Sequence, residues 1–135
     1  MKTFFTPLIS NDTKGFWDGC KSHKLLFQKC DNCQKFRWPA SIVCPNCSSM
    51  KFSYVEVAGS GTIISYVKFF RAFHSSIKEN IPYVVAVIEL NCGVTIISNI
   101  VDSDLDNVDC GKKVQIDWRS DKDKNEIPIF KLKDE

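Results

Sequence analysis

The sequence predicts a mainly β chain in three parts: an N-terminal helical segment over 1–24, a four-cysteine ribbon over 25–58, and a five-stranded barrel over 59–135. Three observations predict it. Four of the seven cysteines fall in two C-x-x-C pairs, Cys30-Asp31-Asn32-Cys33 and Cys44-Pro45-Asn46-Cys47. Beyond Lys51 the apolar residues come in short runs parted by turn residues, with no helical period. Ahead of the cysteines, Phe16, Trp17 and Cys20 gather on one side of a short helical pattern.

The helix is weak. Asn11 or Asp12 is positioned to cap it, and it runs to about Lys21. Gly15 and Gly19 each cost it up to ~1 kcal/mol, so it needs a surface to dock on. Its aromatics either pack on the chain's own ribbon or anchor a partner.

The ribbon follows from the cysteine spacing. Two residues between cysteines let one tight knuckle turn both sulfurs toward the same ion. A second knuckle, returned by the stretch Gln34–Pro39, completes a tetrahedron. Pro45 fixes φ in that second knuckle. Leu25 to Ala58 is shorter than the ~40 residues below which a module usually needs metal or disulfides. Structural zinc contributes about 10–16 kcal/mol in small peptides. Cys30, Cys33, Cys44 and Cys47 are therefore the candidate metal ligands, with two disulfides as the alternative. The odd cysteine count and the clustering favour metal in a reducing compartment. Four thiolates leave no open coordination position, so the ion is structural and activates no water. Rubredoxin-like iron would use the same four sulfurs. Zinc is preferred because no other electron-transfer feature accompanies them.

Lys51–Ala58 reads as one extended stretch, broken at Gly59-Ser60-Gly61. Five strands follow: Thr62–Phe70, Tyr83–Leu90, Val94–Val101, Val114–Arg119 and Ile127–Leu132. Arg71–Pro82 between the first two reads as a loop. In the fourth run Val114, Ile116 and Trp118 alternate inward, with Gln115, Asp117 and Arg119 outward. Five strands in this length fit the OB-fold, a small Greek-key barrel.

Several functions are excluded or disfavoured. Lys and Arg number 18 against 16 Asp and Glu, a net charge of only +2, which rules out a strongly basic arm and argues against nucleic acid as a partner. The longest apolar run, Tyr83–Ile88, falls far short of the ~18 residues a bilayer span needs. The first residues carry no signal-peptide pattern, so the expected location is the cytoplasm, without membrane. No catalytic set emerges. His23 and His74 lie beside no patterned nucleophile, and Cys20, Cys92 and Cys110 read as structural thiols. The run beginning Asp102-Ser103-Asp104 fails as a calcium loop, because Asn107 and Lys113 stand where glycine and a bidentate carboxylate are needed.

The order of motifs resembles the family of small zinc-ribbon/OB-fold proteins that accompany thiolase-like enzymes. The matching stretches are Phe16-Trp17, Leu26-Phe27-Gln28-Lys29-Cys30-Asp31-Asn32-Cys33, Val43-Cys44-Pro45-Asn46-Cys47, Gly59-Ser60-Gly61-Thr62, Pro82-Tyr83-Val84-Val85-Ala86 and Gly111-Lys112-Lys113-Val114. They run over nearly the whole chain. The resemblance implies a rubredoxin-like zinc ribbon behind a helical segment, then an OB domain, with Zn2+ on Cys30, Cys33, Cys44 and Cys47. It also implies association, as a hetero-oligomer, with a thiolase-like subunit that carries the catalytic residues and acts on acyl-CoA. The family often has glycine after each C-x-x-C; here Gln34 and Ser48 stand instead.

From this comes the expectation of a non-catalytic accessory subunit. Phe16, Trp17 and Trp38 are the candidate partner-binding residues. Lys68, Phe70, Arg71 and Phe73, with His74 and Lys78 nearby, are the candidates for meeting a CoA thioester. Thiolytic cleavage of an aliphatic or aromatic β-ketoacyl-CoA is the preferred reaction of the complex. Two alternatives stand beside it. One is a single-stranded nucleic-acid binder stacking bases on Tyr66, Phe69, Phe70 and Trp118. The other is an electron carrier with iron in the ribbon.

Overall fold

The computed structural model describes residues 9–11, 13–71, 81–101, 104–120 and 124–133. Helix α1 spans Lys14–Lys21. Thr13, rather than Asn11 or Asp12, stands at its N-cap, and Asp12 lies outside the described residues. The Thr13 hydroxyl makes no bond to the helix because it is engaged locally, accepting the Ser10 N–H at 2.9 Å. The helix ends in a Schellman motif: His23 N–H donates to the Cys20 carbonyl and Lys24 N–H to that of Gly19, both at 2.9 Å. His23 holds the left-handed position, φ 57°, where glycine is usual.

The two helical glycines have a packing reason. A Cβ on Gly15 would collide with the Tyr54 ring, and one on Gly19 would sit 2.6 Å from Leu26 Cγ. The helix thus lies close on the ribbon, with the Phe16 ring stacked on Phe27 at 6.2 Å between centroids. The ribbon sheet is β1 (Leu25–Cys30), β2 (Phe36–Arg37) and β3 (Phe52–Val57), in the antiparallel order β2-β1-β3.

The chain then enters a closed barrel of β4 (Ser60–Phe69), β5 (Tyr83–Leu90), β6 (Thr95–Ile100), β7 (Lys113–Ser120) and β8 (Glu126–Leu132). Their order is β4-β5-β6-β8-β7, with β7 returning to β4 through Ser60↔Gln115, Gly61↔Val114 and Thr62↔Lys113. This is the OB-fold, as expected. The glycine run does not precede the first strand but opens it. Gly61 lies where a Cβ would come 2.6 Å from the Glu89 carbonyl, so only glycine lets β4 and β5 approach there. Ile63, Val84, Ile88, Leu90, Ile96 and Phe130 fill the interior.

Two departures from regular pairing shape the surface. The alternation in β7 blurs after Gln115, and Trp118 is only half-buried, because its cover comes from outside the barrel. The His23 ring, at the end of α1, lies parallel on Trp118 at 5.1 Å, and His23 Nε2 reaches Glu126 Oε1 of β8 at 2.5 Å. This contact joins the helical segment to the barrel. The second departure is the seam between β6 and β8. These strands run parallel and pair only at Ile100↔Phe130 among the described residues. Pro128 has no N–H to extend the ladder.

Candidate metal centre and aromatic groove

Cys30 closes β1, and the chain turns at once into the first knuckle. Gln34 N–H donates to the Cys30 carbonyl and Cys30 N–H to that of Lys35, both at 2.9 Å. The second knuckle repeats this position for position: Ser48 N–H to the Cys44 carbonyl, and Cys44 N–H to that of Ser49, again at 2.9 Å. In both, the residue after the C-x-x-C takes positive φ, 68° at Gln34 and 66° at Ser48. These are the two positions where glycine is often found in the family resembled by the sequence.

The four sulfurs of Cys30, Cys33, Cys44 and Cys47 lie within 4.8 Å of one another. Cys30 Sγ is 3.5 Å from Cys47 Sγ, and Cys33 Sγ is 3.7 Å from Cys44 Sγ. A tetrahedral zinc with bonds of about 2.3 Å has sulfurs roughly 3.8 Å apart, so the set fits. The separations are too long for disulfides, whose sulfurs lie about 2 Å apart, and all seven cysteines are free thiols. Local donors favour thiolates. The Lys35 N–H, then the Asn46 side chain, hold Cys33 below its usual value; the Cys47 N–H does so for Cys44 against the effect of burial. Asp31 ties the first knuckle to the strand beside it, its N–H donating to the Lys51 carbonyl and its carboxylate accepting Ser53 Oγ.

A polar network that sequence reasoning missed holds the following loop. Gln28 and Arg37 are buried on β1 and β2. Arg37 Nε donates to Gln28 Oε1 at 2.7 Å, Gln28 Oε1 also accepts the Ser41 N–H, and Arg37 Nη2 reaches the Ser41 carbonyl. The guanidinium lies over the Phe52 ring. The loop so pinned carries Trp38. Together with Trp17 it walls a groove of about 310 Å³, between the helical segment, the ribbon loop and the open seam of the barrel. Thus two of the three candidate partner-binding aromatics meet on one surface. The third, Phe16, borders the groove but is only 6% exposed, its ring stacked into the chain's own core.

The candidates for meeting CoA lie elsewhere, where β4 ends. Lys68 holds its ammonium over the Tyr66 ring, Phe70 is 69% exposed, and Arg71 follows it at the surface. Phe73, His74 and Lys78 lie outside the described residues. The aromatics named for base stacking form no common platform. Trp118 is covered by His23, Phe69 stacks on Tyr83, and the Tyr66 hydroxyl donates to the Asp109 carboxylate. Burial pushes the Cys20 thiol up to about 12, while Cys92 and Cys110 are exposed in turns. No helix among the described residues is long and apolar enough to cross a membrane.

Comparison with known proteins agrees with this geometry. Residues 17–53 match the family described as the ChsH2 rubredoxin-like zinc ribbon domain, and residues 54–119 that of the ChsH2 C-terminal OB-fold domain. A DUF35 domain-containing scaffold protein of Methanothermobacter thermautotrophicus is 32% identical over 80% of this chain and 81% of its own length. A probable enoyl-CoA hydratase alpha subunit of Thermomonospora curvata is 31% identical over 93% of this chain, which spans only 39% of that longer protein. Among solved structures, one chain of an Ltp2-ChsH2(DUF35) aldolase superposes with a TM-score of 0.86 at 31% identity, covering 94% of this chain and 98% of its own. The chain belongs to the ChsH2-type DUF35 family of zinc-ribbon/OB-fold proteins.

Proposed function

We propose that this chain is the non-catalytic accessory subunit of a thiolase-superfamily acyl-CoA enzyme, docking the catalytic subunit and helping hold its CoA-linked substrate. The observation that carries the reading is its likeness, over nearly the full length of both, to a chain of an aldolase whose description pairs a DUF35 protein with a second component. The relatives described as a hydratase alpha subunit and as a scaffold protein support the same role. Zinc on Cys30, Cys33, Cys44 and Cys47 would supply stiffness to the ribbon and no acid–base chemistry, since the four thiolates fill its coordination. The chain's own residues then do the rest. The Gln28–Arg37–Ser41 network fixes the Trp38 loop, α1 fixes Trp17, and the two indoles present a rigid apolar surface of the kind that anchors partners. Lys68, Phe70 and Arg71 remain the candidates for meeting a phosphate and an apolar chain, as does Phe73, which lies outside the described residues.

The preferred reaction of the complex is thiolytic cleavage of an aliphatic or aromatic β-ketoacyl-CoA. The test is co-expression with a thiolase-like chain, followed by affinity capture and by the thiolysis of acetoacetyl-CoA and a longer β-ketoacyl-CoA. The expected result is a stable complex, with full turnover only in the mixture. A catalytic chain that reaches full activity alone, or no capture, would overturn the reading.

A further inference from the structure

Among the described residues, β6 leaves most of one of its two edges unpaired. Leu90 N–H donates to the Val94 carbonyl at 2.8 Å, which sets the phase of the β5–β6 ladder. With the observed register, β5 takes up the backbone groups of Ile96, Ser98 and Ile100. Those of Thr95 and Ile97, with the Asn99 N–H, then point the other way. On that side Ile100↔Phe130 is the one pair formed among the described residues. Continuing its register would set Ser98 opposite Pro128. Pro128 has no N–H to offer the Ile97 carbonyl, and its own carbonyl accepts Ser98 Oγ at 2.8 Å instead. The ladder cannot extend. The edge so exposed borders the groove walled by Trp17 and Trp38, where the Ile97 side chain is 56% exposed.

We propose that this edge receives an extended segment of the catalytic partner's polypeptide, added as a further strand along Thr95–Asn99. The inference rests on the reading of the chain as a docking subunit and names where and how it docks. Main-chain donors and acceptors on β6 supply the pairing, and alternate side chains of the incoming segment fall against the aromatic walls. Five residues of strand give about 17 Å of edge. No charged side chain lines the groove. It therefore suits an uncharged, apolar stretch of peptide, and would leave a phosphate or carboxylate without a counter-charge.

The test is backbone amide hydrogen exchange, read residue by residue, on the isolated zinc-loaded chain and on its complex with the thiolase-like chain. Exchange at Thr95, Ile97 and Asn99 is expected to slow at least about tenfold in the complex. Ile97→Pro removes the N–H that faces the groove, along with part of the exposed side chain, and takes no hydrogen bond from the β5 ladder. It should weaken capture about tenfold, ~1.4 kcal/mol, while Ile97→Val does not. A complex that forms with these amides unprotected would overturn this inference and leave the docking role standing. Failure to form any complex would overturn both. Protection already present in the isolated chain would assign the edge to the chain's own residues and overturn the proposal too.

Discussion

At the two knuckles, Gln34 and Ser48 hold positive φ with full side chains. A left-handed residue other than glycine costs roughly 1–2 kcal/mol, partly offset by the order a non-glycine residue brings to the unfolded chain. Gln34→Gly and Ser48→Gly are each expected to raise stability by about 0.5–1 kcal/mol, measured by denaturant melts of the zinc-loaded protein. The glycines often present in the family were legible as missing from the sequence, and the geometry they serve is kept without them. Cys20 behaves in the opposite way to the knuckle thiols. Burial lifts it from its ordinary 9.0 to about 12, so at pH 8 it stays protonated while Cys92 and Cys110 face solvent. Alkylation of the native protein at pH 8 should label Cys92 and Cys110 and spare Cys20. The folded value lies above the unfolded one. The stability linked to Cys20 is therefore complete below about 9 and declines as pH rises toward about 12, because the unfolded thiol ionises first.

Among the elements, the strands with uninterrupted apolar runs were the most legible. Tyr83–Leu90 is β5 to the residue, and the double C-x-x-C announced the ribbon. What escaped was set by neighbours distant in sequence. Gln28 and Arg37 sit on short strands where polar residues ordinarily face water, and only the returning Ser41 loop shows why both are buried. Gly15 and Gly19 looked like defects because Tyr54 and Leu26, which press on them, belong to other elements. Pro128 reads as an ordinary strand proline until the topology puts β6 beside it. Gln28→Ala should cost about 2–3 kcal/mol in a chemical melt, since it removes the acceptor shared by Arg37 Nε and the Ser41 N–H and leaves the buried guanidinium only the Ser41 carbonyl. The same change should loosen the Trp38 loop and weaken capture of the partner with the four cysteines still loaded, as metal analysis would show.

For the whole molecule, one apolar core runs from Phe16, Cys20, Leu25 and Phe27 into the barrel interior, whereas the two knuckles lie outside it and would depend on their ion. Removing zinc with a chelator should abolish the order of the two knuckles and the β1–β2 hairpin while β4–β8 persist. Amide spectra recorded before and after chelation would check this. Lowering the pH should act in the same direction, because protons compete with the ion for the thiolates. Partner capture that survives metal removal undiminished would separate the ribbon from docking. The barrel's own weakness lies elsewhere. β8 is laced to β7 along its length, but among the described residues its one strand pair with β6 is Ile100↔Phe130, supplemented by the Ser98 Oγ–Pro128 carbonyl bond. Pulled from its C-terminal side, such a cylinder ruptures first along that margin, unrolling into a curved sheet with β8 still attached at the far side. A bound peptide strand bridging the gap would then act as a splint, raising the force at which the molecule opens.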